Sequence, residues 1–236
     1  MLGESRARVD KHMVYRRTDR SAKIRQKSRQ RILAAARKLF AQQGYEATTM
    51  QQVVREARTS IGNAYFYFEN KEELVKALVE EGLRASWAHT DPIIASVEIG
   101  PSRIAVAVYT DIMSLLGPEK DLAAIAVMGM PSVVHYITEI IWERLCVLLS
   151  ENFPERNELE VLMISAVVFG ANRLVVEFCL TGVLKMRPQD AATFCVGWHL
   201  RALEVSERQI DRAVQLAART YRTRRVGGKP LVVSVE

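Results

Sequence analysis

The chain has 236 residues, 49% of them hydrophobic, 25% charged and 7% aromatic, enough to bury a core as one large domain or two smaller ones, so wholesale disorder is excluded. Its net charge of +6 is unevenly placed: residues 1–31 hold eleven Lys and Arg against three acids, residues 32–218 hold seventeen against twenty-three, and Arg219, Arg222, Arg224, Arg225 and Lys229 follow. Basic ends around an acidic body point to an anionic partner for the N-terminal end, nucleic acid first and an anionic membrane surface second.

Helical periodicity dominates. In residues 24–42 the apolar positions Ile32, Leu33, Ala36, Leu39 and Phe40 share one helix face, and Gly44 stops the helix as the residue just past its end. Thr49 with Gln52 three residues on is a capping box that opens a helix from about Met50 to Glu56. Ser60 is the next start signal, and Asn70 with Glu73 the one after. Only Ala57, Arg58 and Thr59 join the two short helices. From Glu72 onward, Gly and Pro marks bound longer helices near 72–90, 102–116, 121–128, 132–151, 155–184 and 189–218. The short tail Leu231–Val235 reads as the one alternating strand. The expected fold is all-α: an N-terminal three-helix helix-turn-helix domain plus a helical regulatory and dimerisation domain. The expected boundaries are a basic flexible arm over 1–23, a DNA-binding domain over 24–71, the regulatory domain over 72–218 and a basic flexible tail over 219–236.

Two short capped helices joined by a tight turn, behind a basic lead-in, form the helix-turn-helix plan. The first helix of such a pair lies across the phosphate backbone and the second, here Ser60 to about Phe66, enters the major groove. Ser60 and Asn63 can hydrogen-bond phosphates or bases, Ile61 can reach a thymine methyl, and Gly62 removes a side chain where backbones approach closely. Tyr65 and Tyr67 place phenolic hydroxyls at the groove edge. Lys71 and the N-terminal N–H groups of the fourth helix favour a phosphate. Arg25 in the lead-in and Thr48 and Thr49 at the first helix of the pair complete the candidate DNA contacts. The lead-in itself has two readings, an arm adding phosphate contacts or an extension without a role at the site.

The stretch from Ala47-Thr48-Thr49 to Ala57, then Ser60-Ile61-Gly62, Tyr65-Phe66-Tyr67-Phe68 and Lys71-Glu72-Glu73-Leu74, resembles the DNA-binding domain of TetR-family transcriptional regulators. It departs from that pattern in the turn, where Arg58 and Thr59 stand in place of Gly and an aliphatic residue. Such a turn is expected to hold Arg58 at positive φ, at about 1 kcal/mol. The resemblance implies a homodimer reading a palindromic operator on double-stranded DNA, a repressor released by a small-molecule effector; an apolar interior with few aromatic residues favours an apolar or acyl effector over a stacked planar one. The last two long helices, about Leu159 to Leu184 and Gln189 to Val205, would form the dimer seam, with Val168, Gly170, Ala171, Val175, Val176, Phe194, Leu200 and Leu203 as candidates. The effector pocket would draw on Met113, Met128, Met130, His135, Tyr136, Glu139, Trp142, Arg173 and Glu177, polar groups or adaptable methionines set among apolar neighbours.

An activator or ligand-insensitive binder of the same fold is the alternative, and a helical enzyme or lipid-binding protein the remoter one. No Gly-x-Ser-x-Gly elbow, phosphate loop, dinucleotide fingerprint or set of paired carboxylates favours an enzyme. Neither a cofactor nor a metal site is expected, since no His, Cys or carboxylate grouping has ligand spacing. Cys146, Cys179 and Cys195 lie in apolar stretches and read as reduced thiols of a cytoplasmic protein. No secretory signal is expected, because no apolar segment follows the basic N-terminus. The uncharged runs Leu122–Thr138 and Val161–Asn172 are interrupted and fall short of a membrane span.

Overall fold

The computed structural model describes residues 3–117, 120 and 131–227, with side chains over 22–117, 120 and 132–222. The described residues are helical throughout, without a strand, and the chain divides into two compact units between Leu78 and Val79.

In the first unit, α1 (Gly3–Gln43) ends where Gly44 takes φ +79° and returns its N–H to Phe40 O at 3.0 Å. Only glycine adopts that conformation without steric penalty. Helix α2 (Met50–Glu56) opens on the expected capping box: Gln52 N donates to Thr49 Oγ1 at 3.2 Å, and Thr49 N donates to Gln52 Oε1 at 2.7 Å. Helix α3 (Ile61–Tyr67) starts from Ser60, whose Oγ accepts from Asn63 N at 3.1 Å, and α4 (Lys71–Ala95) from Asn70, whose Oδ1 accepts from Glu73 N at 2.9 Å. Each cap satisfies a donor that the helix itself leaves unpaired, for roughly 1 kcal/mol. Arg58 does sit at φ +50°, and Thr59 N–H closes the turn on Val54 O at 3.1 Å.

Ile32, Leu33, Ala36 and Phe40 of α1 are buried with Val53 of α2, Ala64 of α3 and Phe68, Leu74 and Leu78 beyond it. Each fully buried aliphatic contributes roughly 1.5–3 kcal/mol. Leu39, expected on the same face, is only half-buried. Helix α1 begins at Gly3 rather than near residue 24, so the basic lead-in is helical. From Glu4 to Gln43 neither Gly nor Pro interrupts a run rich in Arg, Lys, Gln and Ala, all strong helix formers.

In the second unit, the described helices after α4 are α5 (Pro101–Leu115), α6 (Pro131–Asn152), α7 (Glu158–Leu180), α8 (Pro188–Ala202) and α9 (Glu207–Gly227). Residues Ile104 to Thr110 of α5 are buried without a break; a helix apolar all round belongs at the centre, and α5 packs against both α8 and α9. Gly100 leads into it at φ +125°, its N–H donating to Asn152 Oδ1 of α6 at 2.8 Å.

Two helix limits differ from expectation. Helix α4 runs through Asp91-Pro92 to Ala95, and the single helix expected over 189–218 is two. Glu204 at φ +61° ends α8, with Val205 N–H returning to Leu200 O at 3.0 Å, and Ser206 with Gln209 opens α9. The break carries no Gly or Pro, so only the Ser-x-x-Gln pattern marked it. Segment 121–128 and the strand Leu231–Val235 lie outside the described residues.

Inside this core His199 of α8 is 1% exposed, and neither ring nitrogen has a protein hydrogen-bond partner. Burial lowers its pKa to about 4. The unfolded chain binds the proton near pH 6.5 and the folded chain only near 4, so stability is whole above about pH 6.5 and falls as pH drops toward 4, by about 3 kcal/mol in all. Urea midpoints between pH 7.5 and 4.5 should fall more steeply for the native chain than for His199→Leu; equal slopes would remove His199 as the cause.

Candidate nucleic-acid interface and ligand cavity

The outward stripe of α3 consists of Ile61, Gly62, Tyr65 and Phe66, all exposed, with Phe66 at 72% the most exposed large apolar side chain described. Two aromatic rings and an aliphatic tip facing solvent on a seven-residue helix are unfavourable for an isolated domain, and they fit a surface that is covered in use. A Cβ on Gly62 would meet nothing within 4 Å, so this chain's own packing does not require the glycine. Phe66 was not singled out in the sequence, although its spacing from Ile61 and Gly62 puts it on their face. Ser60, Thr49 and Arg25 are exposed, as are Lys23, Lys27, Arg55 and Arg58, while Tyr67 is half-buried and edge-on to Phe66 at 5.1 Å.

Three expected DNA contacts are engaged inside the domain. Thr48 is fully buried, its hydroxyl donating to Gly44 O at 2.7 Å. Asn63 turns its Nδ2 inward, to Ser28 Oγ at 2.9 Å and Thr59 Oγ1 at 2.7 Å, and so ties α3 to α1 and to the turn. Lys71 Nζ donates to Tyr45 O at 2.8 Å and Thr48 O at 2.9 Å and lies 3.9 Å from the centre of the Tyr45 ring. These three residues hold the recognition unit in shape. Residue type alone suggested polar readers; only the direction of each side chain shows that they face inward.

The second unit contains a cavity of about 140 Å3 walled by α4, α5, α6 and α7. Val79, Leu83, Ile112, Ile137, Leu148 and Val176 make it mainly apolar. Asn172 of α7 lines it, with Oδ1 buried and without a donor. Arg144 of α6 lines it, bonded to Asp91 and stacked 4.6 Å from the centre of the Trp87 ring, and Arg173 lines it, paired with Glu177 at 3.2 Å.

Of the described candidate pocket residues only Arg173 is in the wall. His135 and Glu139 form an exposed surface pair at 3.3 Å, Tyr136 donates to Glu80 at 3.4 Å, and Met113 is packed in the core. Trp142 is half-buried off the wall, and Met128 and Met130 lie outside the described residues. The α6 residues facing the cavity are Val134, Ile137, Thr138, Ile141, Arg144, Leu145 and Leu148, a different stripe of the same helix. Periodicity marks both stripes and does not say which one points inward.

Residues 32–78 match the family of bacterial regulatory proteins known as the tetR family. That segment is a DNA-binding domain of the TetR type. The chain is 44% identical over 52 residues to the uncharacterised HTH-type transcriptional regulator YfiR of Bacillus subtilis, a match covering 22% of this chain and only 25% of that relative. Beyond the DNA-binding segment the likeness is one of fold. RolR in complex with resorcinol superposes at TM-score 0.64 with 17% identity over 84% of this chain and 96% of its own. Bacillus subtilis FadR in complex with stearoyl-CoA does so at 0.61 with 19% identity over 72% and 96%.

In the second unit α7 and α8 carry exposed apolar surface. Leu159, Met163, Val167 and Leu174 of α7 and Phe194 and Trp198 of α8 are each between 40 and 65% exposed. Gly170, also exposed, lies on α7 with open space around its Cβ position. Val168, Val176, Leu200 and Leu203, expected at a dimer seam, are instead buried within the protomer. Ala171 and Val175 are half-buried, so of the seam candidates Gly170 and Phe194 are the exposed ones. By length and composition α7 would be long enough and apolar enough to cross a membrane, the one such helix among the described residues, which the interrupted run Val161–Asn172 did not suggest. One side of it packs into the core and the other is the exposed stripe.

Proposed function

We propose that this chain is a DNA-binding transcriptional regulator that acts as a homodimer on a two-fold-symmetric operator and represses until a small molecule enters the cavity of its second unit. The observation that carries the DNA-binding reading is the exposed stripe Ile61, Gly62, Tyr65 and Phe66 on a capped α3, flanked by exposed Arg and Lys. The α7 and α8 stripes support the dimer, because two such helices from each protomer make a four-helix seam, and a two-fold dimer matches a palindromic site. The repressing sense rests on the family resemblance. The two structural neighbours hold ligands as different as resorcinol and stearoyl-CoA, so the fold leaves the ligand class to each chain's own cavity.

Binding to duplex DNA should weaken steeply with salt. In selections from randomised duplexes, Ile61→Ala and Phe66→Ala should change the preferred bases, by roughly 1–3 kcal/mol at the affected position. Asn63→Ala should weaken all sequences alike, because it acts on the shape of the domain. Salt-independent binding, or a base preference that shifts with Asn63 and not with Ile61 or Phe66, contradicts this docking.

A further inference from the structure

We infer that the cavity selects a small neutral molecule of about benzene size that carries a hydroxyl or similar hydrogen-bond donor, and discriminates against carboxylates and long acyl chains. The inference rests on the cavity being the effector site and adds its chemistry.

Size sets the first limit. The cavity holds about 140 Å3, and a dry apolar cavity of about 150 Å3 takes a molecule such as benzene. A long acyl chain does not fit within it. Charge sets the second. The wall contains two guanidiniums, and each is already matched with a carboxylate, Arg144 with Asp91 and Arg173 with Glu177. An anionic head would have to displace a carboxylate from one of these existing pairs. The face of Trp87 is likewise occupied by Arg144, which disfavours a second cation there.

Hydrogen bonding sets the third. Asn172 Oδ1 is buried without a donor, and a buried acceptor left unpaired is unfavourable. A turn of the amide about its terminal torsion would bring that oxygen to the cavity that Asn172 lines. A ligand O–H or N–H supplies the missing donor. Thr138, by contrast, already donates its hydroxyl to Val134 O at 2.7 Å, so it can only accept. The wall therefore offers oxygen acceptors to an uncharged donor set among apolar walls, which is how a site of this kind rejects an analogue lacking the hydroxyl.

The full-length chain is titrated calorimetrically with 4-ethylphenol, ethylbenzene, 4-ethylbenzoate and palmitate at one pH and salt, and fluorescence anisotropy of a bound duplex is followed in parallel. The phenol should bind about tenfold more tightly than the hydrocarbon or the benzoate, and Asn172→Leu should erase its advantage over ethylbenzene while leaving ethylbenzene unchanged. Tightest binding by the benzoate or palmitate, a phenol advantage that survives Asn172→Leu, or no binding by any of the four overturns the proposal. The ligand series on the native chain decides it even if the variant folds poorly. Phenol binding with the Asn172 dependence but no loss of duplex anisotropy upholds the ligand class and refutes ligand-controlled release.

Discussion

A chain carrying both Met163→Glu and Val167→Glu should sediment as a monomer where the native protein sediments as a dimer, and its affinity for a two-half-site operator should fall by more than a hundredfold. The two side chains are one turn apart on α7 and exposed within the same protomer, so the substitutions add charge without opening a cavity in the core. In a seam they would place four carboxylates against apolar partners, each costing several kcal/mol when desolvated. Loss of the second recognition helix then converts one bivalent binding event into two weak ones, and avidity of the order of 10²–10⁴ disappears. Circular dichroism should stay helical and the melting of the second unit should be little changed. A double variant that remains dimeric would place the seam elsewhere and leave the α7 stripe without its partner.

Lys71→Met should lower the stability of the DNA-binding unit by about 2 kcal/mol, because Nζ donates to two carbonyls of the segment that links α1 to α2 and stacks on Tyr45. The carbonyls of Tyr45 and Thr48 would be left without that charged donor. The sequence reading placed Lys71 on a phosphate; the structure ties it to the loop that carries the Thr49 cap. The two roles separate in measurement. A phosphate contact, when lost, reduces the slope of log K against log salt by about one and leaves the melting temperature alone. A loop clamp, when lost, lowers the melting temperature while the slope changes less. Lys71→Arg, which keeps a donor and a charge, should recover most of the stability. An unaltered melting temperature in Lys71→Met would return the residue to the phosphate backbone.

The same pattern holds through the candidate site. Thr49, Ser60 and Asn70 were legible because a cap is local: the side chain bonds its own backbone three residues on, and sequence spacing contains all the geometry needed. Arg58 at positive φ was legible for the same reason, since a three-residue connection without glycine leaves few conformations. The inward bonds of Asn63 to Ser28 and of Lys71 to Tyr45 were not legible because those partners lie 35 and 26 residues away, and nothing in residue type tells an inward hydroxyl, amide or ammonium from an outward one, as Thr48 shows with a partner only four residues away. Phe66 was not among the expected contacts because it carries no polar group, and only the packing shows its ring in solvent. Leu200 and Leu203 were assigned to a seam that the helix could equally have presented from its other side.

By itself the sequence determined that the chain is helical, that a capped helix-turn-helix lies between Thr49 and Phe68, and that this segment is of the TetR kind, because helix signals and turn chemistry act over a few residues. Only the tertiary structure decided which stripe of α6 walls the cavity, that Asn172 stands there with an unpaired oxygen, that α7 and α8 turn Met163, Val167 and Phe194 outward, and that Lys71 holds a loop. Those outcomes depend on how helices far apart in the chain are rotated against one another, and an amphipathic repeat fixes the stripes of a helix without fixing which neighbour each one meets.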